Sequence, residues 1–258
     1  MKTPEASATA PTRHRPVHLL LPHLLDTVRS TIIVVIAALF VVTFLVQPFR
    51  IPSESMERTL LVGDFLLVDR VALAPAGSWH WLLPYQAVRR GDIVVFHFPL
   101  DPDDHVVKRV IGSPSDVVEL RNGLAYVNGS PLPQPYAVFE RAEADEFRDQ
   151  FPHYTTNDPA VDPRWQQQMR KLTEQGRLLV PASSYFVLGD NRNHSRDSRY
   201  WGFVPRQNIV GTPLLVYFSL REASTTDDAQ LPDVRLGNNA WGKLFDVARW
   251  DRILRIIH

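Results

Sequence analysis

The feature that most constrains this chain is an uncharged run from Ser30 to Phe49, with IIVVIAALFVVTFLV at its heart. In a helix, about 20 such residues rise about 30 Å, enough to cross the hydrocarbon core of a bilayer. A cleaved secretory signal would also place basic residues ahead of an apolar run. This run is long for such a signal, and it ends in Gln47-Pro48-Phe49-Arg50 with no small-residue cleavage pattern. A retained transmembrane helix over 30–49 is therefore expected. Residues 1–29 carry Lys2, Arg13, Arg15 and Arg29 against Glu5 and Asp26 and read as a flexible basic tail. Positive charge ahead of the span puts the N-terminus in the cytoplasm and the rest outside, with Arg50 weakly opposing. The expected product is a single-pass protein of the cell (inner) membrane.

Beyond Arg50 the pattern changes. Apolar runs of a few residues are punctuated by Gly, Pro and Asn-Gly, which is a strand signature. Phe65–Val68, Ile93–Phe98, Val106–Ile111, Ser184–Leu188 and Ile209–Phe218 are strand candidates. Asn122-Gly123 and Asn128-Gly129 flank LAYV, and Asn-Gly favours the hairpin turns that need positive φ at both central residues. The fold class expected is mainly β: an antiparallel β-sheet domain over 50–220, tethered by one N-terminal transmembrane helix. Residues 139–179 are charged, Gln-rich and broken by Pro152, Pro159 and Pro163, and read as a partly helical surface insert. The tail, 221–258, ends in WGKLFDVARWDRILRIIH, which suits either a membrane surface or an element packed on the domain. With 28 basic and 28 acidic residues, nothing favours nucleic acid as a partner. The absence of cysteine excludes a disulfide scaffold, a thiol nucleophile and a thiolate zinc site.

Three segments could carry chemistry. In Ile51-Pro52-Ser53-Glu54-Ser55-Met56 the proline and small residues point to an extended turn exposing the Ser55 hydroxyl; taken alone, this is also what an ordinary serine-rich turn looks like. Lys108 lies within HVVKRVIG, where burial would lower its pKa toward that of a general base. The plainer alternative is a strand lysine pointing to solvent. The third segment, GDNRNHSRDSRYWGFVP from Gly189, gathers Asp190, Asn191, Arg192, Asp197 and Arg199 between two apolar strands, a density of donors and acceptors suited to supporting a site.

Together with the apolar span, the blocks PSESM, the following GD, RGDIVVF, KRVIG and GDNR…SRDSRYWG resemble, in order, the type I signal peptidase (leader peptidase) family of Ser/Lys membrane proteases. The resemblance implies an endopeptidase that removes signal peptides from exported precursor proteins, with membrane lipid as its other partner and no metal or cofactor. It makes Ser55 the nucleophile, Lys108 the general base, and Ser53 with the Ser55 backbone N–H the oxyanion donors. Ser195 matches the serine that orients the lysine, Asp197 and Arg199 the supporting ion pair, and Asp190 belongs to the same loop. Ile51, Pro52, Met56, Leu60 and Val107 would line shallow apolar pockets for small substrate residues. Two departures stand out. Met56-Glu57-Arg58-Thr59-Leu60 replaces the usual Met-x-Pro-Thr-Leu, and Asn193-His194 falls where GDNRDNS is common.

Other motifs read more plainly. A His-based triad has no spacing support, and His97 and His105 do not form a metal-ligand pattern. Arg90-Gly91-Asp92 precedes a strand and reads as a turn, and Asn128-Gly129-Ser130 and Asn193-His194-Ser195 are short sequon coincidences. A self-cleaving Ser/Lys repressor would need a DNA-binding module, for which the chain ahead of Ser30 offers no helix-turn-helix. A catalytically inactive membrane-tethered β adaptor would not need Ser53, Ser55, Lys108 and Ser195 together.

Overall fold

In a computed structural model of the chain, residues 20–70, 86–139, 145–152, 158–221 and 247–257 are described. Most of the expected basic tail, parts of the 139–179 segment, and residues 222–246 of the C-terminal tail lie outside them. The chain divides into two units, Met1–Thr43 and Phe44–His258.

In the first unit, helix α1 runs Leu20–Phe40 and is followed by a π turn at Val41–Leu45. Leu24–Thr43 has a mean hydropathy of 2.1 and is long and apolar enough to cross a membrane. The expected helix over 30–49 is thus displaced toward the N-terminus. Asp26 and Arg29 fall within it, one turn apart, at a spacing where opposite charges can offset each other. At the other end, Val46–Arg50 is not helical but forms strand β1. Pro48 accounts for the change. It lacks the N–H a helix interior needs, and it is tolerated in β1 because that strand lies at a sheet edge.

The second unit is built from two antiparallel sheets. Strands β2 (Asp64–Asp69), β3 (Ile93–Phe98), β4 (Asp101–Gly112), β5 (Val117–Arg121), β6 (Leu124–Val127) and β7 (Ser130–Pro131) follow β1 in the chain. After them come helices α2 (Glu146–Asp149) and α3 (Pro163–Leu172), then strands β8 (Thr173–Glu174), β9 (Arg177–Leu179) and β10 (Ser184–Leu188). Helix α4 (Ser198–Trp201), β11 (Val204–Pro205), β12 (Ile209–Ser219) and β13 (Arg255–Ile256) complete the set. The larger sheet has the order β1-β2-β12-β3-β4-β10-β11, with β13 also on β12, and the smaller has the order β7-β6-β5-β9-β8. Both expected Asn-Gly hairpins form, with Asn122, Gly123, Asn128 and Gly129 all at positive φ.

Two hydrophobic clusters result. The larger joins Val94, Phe96, Val110 and Ile111 to Val118, Leu120, Phe186 and Leu188. The smaller comprises Ile51, Met56, Leu60, Leu66, Val68, Ile93, Val95 and Val216. The described part of segment 139–179 is partly helical, as expected, but it is not confined to the surface. Phe147, Phe151, Trp165 and Met169 lie in the larger cluster, and Trp165 is only 2% exposed. Trp165 and Met169 sit four residues apart, so they share the inner face of an otherwise charged α3. Asp162 caps that helix through the backbone N–H groups of Arg164 and Trp165.

The described part of the C-terminal tail packs on the domain through a bridge, a 3₁₀ turn and a short strand. Ala248 bridges to Leu220, a 3₁₀ turn spans Trp250–Arg252, and β13 pairs with Leu215 and Val216 of β12.

Candidate active site

The loop that follows β1 carries both serines of PSESM. Ser53 is extended, and a 3₁₀ turn over Glu54–Met56 buries both Ser55 and Met56, so the Ser55 hydroxyl is covered where the sequence led us to expect it exposed. The loop closes on itself through Ile51 N–H to the Asp64 carbonyl (2.9 Å) and Gly63 N–H to the Ile51 carbonyl (3.0 Å). Ser55 is 6% exposed, and its Oγ lies 3.2 Å from Ser53 Oγ. Lys108 comes from β4 and is 3% exposed. Its Nζ lies 2.6 Å from Ser55 Oγ and donates to the Val107 carbonyl at 3.2 Å.

Burial brings the Lys108 pKa down to about 8. The charges of Asp197 and Asp190 pull it back up, and that of Arg199 adds to the lowering. Desolvation wins because the cation has lost its water and neither carboxylate forms a hydrogen bond with it. An amine in this condition can accept a proton from the hydroxyl it touches.

The loop after β10 supports this pair. Asp197 caps α4 and receives Arg199 through two 2.8 Å contacts, with Gly189 N–H donating at 3.0 Å. Although burial pushes the Asp197 carboxyl upward, Arg199 and these hydrogen bonds hold it below its usual value. Arg199 also donates to the carbonyls of Arg192 and Ser195, and its own carbonyl accepts from the Trp165 indole. Ser195 Oγ is buried and lies beside the Asp197 carboxylate, whose pKa it helps to hold low, and it makes no hydrogen bond to Lys108, whose Nζ goes to Ser55 and Val107. Gly189 lies where a Cβ would fall 2.2 Å from Ser195 Oγ and 2.4 Å from the Ser55 carbonyl. Only a residue without a side chain lets this loop and the Ser55 turn approach so closely.

Asp190 forms a second buried pair, accepting from Arg109 Nε and an Arg109 terminal nitrogen at 2.8 Å each. Thr59 Oγ1 donates to it at 2.6 Å, and Asn191 N–H donates to the Ser55 carbonyl at 3.1 Å. Of these, Asn191 is among the polar loop residues the sequence points to, whereas Arg109, Thr59 and Gly189 are not singled out individually by it. They lie inside the blocks that are, and Arg109 neighbours Lys108, but a charge within an apolar strand does not reveal its partner.

A cleft of about 280 Å³ opens beside Ser55, lined by Phe49–Ser53, Ser55, Met56 and Asp104–Val107. It contains Ile51, Pro52, Met56 and Val107 as expected. Leu60 is absent from it: fully buried in the smaller cluster, it underlies the loop and does not face the cleft. Phe49, Asp104 and His105 are added to the lining. His105 packs against the rings of Phe49 and His97, each tilted by 49°, at the cleft wall, and burial with the neighbouring His97 charge lowers its pKa. At the Arg58 departure, φ is +72, a conformation closed to proline, so this turn takes a path that Met-x-Pro-Thr-Leu could not.

Residues 24–218 match the family described as signal peptidase, peptidase S26. A signal peptidase I of Aquifex aeolicus is 31% identical over 78% of this chain and 86% of that protein. A probable signal peptidase I-1 of Synechocystis is 36% identical over 75% and 82%, and a signal peptidase I of Pseudomonas fluorescens 33% identical over 78% and 75%. With an apolar N-terminal helix, an antiparallel β domain and these relatives, the chain belongs to the signal peptidase S26 family.

Proposed function

We propose that this chain is a membrane-anchored serine endopeptidase that removes N-terminal signal peptides from exported precursors, cleaving after small residues, with Ser55 as nucleophile and Lys108 as general base. The observation that carries the reading is the 2.6 Å approach of a buried, pKa-lowered amine to a hydroxyl at the end of an apolar cleft. Neutral Lys108 takes the Ser55 proton as Oγ attacks the scissile carbonyl. Ser53 Oγ and the Ser55 N–H stabilise the oxyanion. The protonated lysine then gives its proton to the departing amine, and water, deprotonated by the same nitrogen, hydrolyses the acyl-enzyme. Ser195 Oγ supplies an acceptor that holds the ammonium between steps, and the Asp197–Arg199 and Asp190–Arg109 pairs keep the loop in register. All the groups used belong to this chain.

Substrate recognition follows from β4. On one edge it pairs with β3, while on the other β10 engages only Arg109–Gly112. An extended precursor segment can therefore add along Asp104–Val107, its small side chains entering the cleft over Ile51, Pro52 and Met56. In this reading the N-terminus is cytoplasmic and the catalytic domain extracytoplasmic. About a dozen residues separate Thr43 from Ser55, a tether of at most about 40 Å. Lipid contact beyond the anchor falls to the tail, where Trp250, Leu254 and Ile256 are exposed beside Leu214 and Tyr217.

The test is processing of a signal-bearing precursor by the purified full-length protein and by Ser55→Ala. Cleavage is expected from the former alone; equal cleavage by the variant refutes the assignment.

A further inference from the structure

Resting on that reading of Ser55, we infer that Arg252, in the C-terminal tail, is a positioning residue for the nucleophile. The segment Arg58–Gly63 is the weak side of the Ser55 loop. It has no regular strand partner, and Arg58 sits in the left-handed region at φ +72, where a side chain is disfavoured. From this side the loop must present the Thr59 hydroxyl to Asp190 and keep the Ser55 carbonyl within reach of Asn191 N–H.

The tail secures it. Arg252 is 4% exposed, and its guanidinium engages both oxygens of Asp64, one at 3.0 Å, and the Thr59 carbonyl at 3.2 Å. Asp64 is fully buried and also accepts from Leu61 N–H (2.8 Å) and Ser219 Oγ (2.7 Å). Arg249 adds a bond to the Val62 carbonyl at 3.0 Å. The strap is itself bound to β12, with Arg249 N–H on the Ser219 carbonyl and Leu254 N–H on the Val216 carbonyl. A continuous path of hydrogen bonds therefore leads from Arg252 through Thr59 to Asp190 and its loop, which meets Ser55 at Asn191. The planar fork of an arginine suits this task, since it reaches a carboxylate through two donors while a third contact fixes a carbonyl.

The test uses the full-length protein with Arg252→Gln, Arg252→Lys and, as a control on the same strap, the exposed Arg255→Gln. With the loop free to shift, Arg252→Gln should lower kcat about tenfold or more, short of the loss in Ser55→Ala, because small misplacements of a reacting group are costly. KM should stay within about twofold, because the Arg252 side chain is bonded to Asp64 and Thr59, neither of which lines the cleft. Arg252→Lys, whose single ammonium cannot span all three contacts, should fall in between. Arg255→Gln should match the parent. Amide hydrogen exchange should accelerate over residues 57–64 in the Gln variant. If Arg252→Gln fails to fold, Arg252→Lys decides. A kcat equal to the parent's in a folded variant, a loss confined to thermal stability, or a loss carried by KM would each overturn the inference. Retained cleavage by Ser55→Ala would instead overturn the nucleophile assignment, so the two failures are distinguishable.

Discussion

Replacing Lys108 by methionine keeps an unbranched side chain of similar length and removes the amine. The expected product is an inactive protein more stable than its parent. Burial takes Lys108 from 10.5 to about 8, a drop that corresponds to about 3 kcal/mol held against folding wherever the lysine is charged in both states. The sign follows from the folded pKa lying below the unfolded one. The lysine's contribution is fully present above 10.5 and is lost as pH falls through about 8. After about 1 kcal/mol for the hydrogen bond to Ser55, Lys108→Met should be favoured at pH 7 by about 2 kcal/mol. In a domain of this size that is a rise in Tm of about 4–8 °C. Thermal unfolding of both proteins in detergent at pH 7 and pH 10 checks it, with a gap that narrows at the higher pH. A methionine variant less stable than the parent at pH 7, or a gap independent of pH, would refute the reasoning. The same pKa leaves about 10% of the lysine neutral at pH 7, about 300-fold more than an unshifted lysine. Precursor cleavage should accordingly rise about tenfold per pH step below 8 and level off above it.

Ser53→Ala should lower kcat about 10²-fold with KM little changed in steady-state cleavage, the loss typical of one oxyanion donor; an unchanged kcat excludes Ser53 from that role. Gly189→Ala should force the Ser195 loop away from the Ser55 carbonyl and lower activity more than Tm, and normal turnover would show that the loop can yield. Trp165→Ala should destabilise the domain by about 3–5 kcal/mol in thermal or denaturant unfolding, whereas a surface residue would give under 1 kcal/mol.

Much of the fold was legible because strand signals are local. Ile93–Phe98 and Ser184–Leu188 form with the expected limits, and the Asn-Gly pairs turn where two successive positive φ values are needed. Ser55 and Lys108 could be named from ordered blocks, although their spacing in the chain gives no hint that they touch. The limits of α1 differ from the expected span because no charge falls between Ser30 and Phe49 to mark where the helix ends, and only Pro48 signals the change to the half-exposed edge strand β1. Trp165 and Met169 were obscured by the charge around them, yet their i, i+4 spacing was a readable sign of a buried face. Arg252 and Asp64 carried no such sign. Their pairing spans most of the domain, and long-range ion pairs leave no trace in local pattern.

Ser55 and the setting of Lys108 rest on different hydrophobic clusters. Ile51, Met56 and Leu60 under Ser55 belong to the smaller, whereas Leu188, Tyr200 and Trp201, which frame the Asp190–Arg199 loop, belong to the larger. Lys108 stands between them, next to Val107 on one side and close to Val110 on the other. Along β3, Val94 and Phe96 face the larger cluster while Ile93 and Val95 face the smaller, so the two clusters are the opposite faces of one sheet. The closeness of Ser55 and Lys108 therefore depends on both faces of that sheet being covered at once.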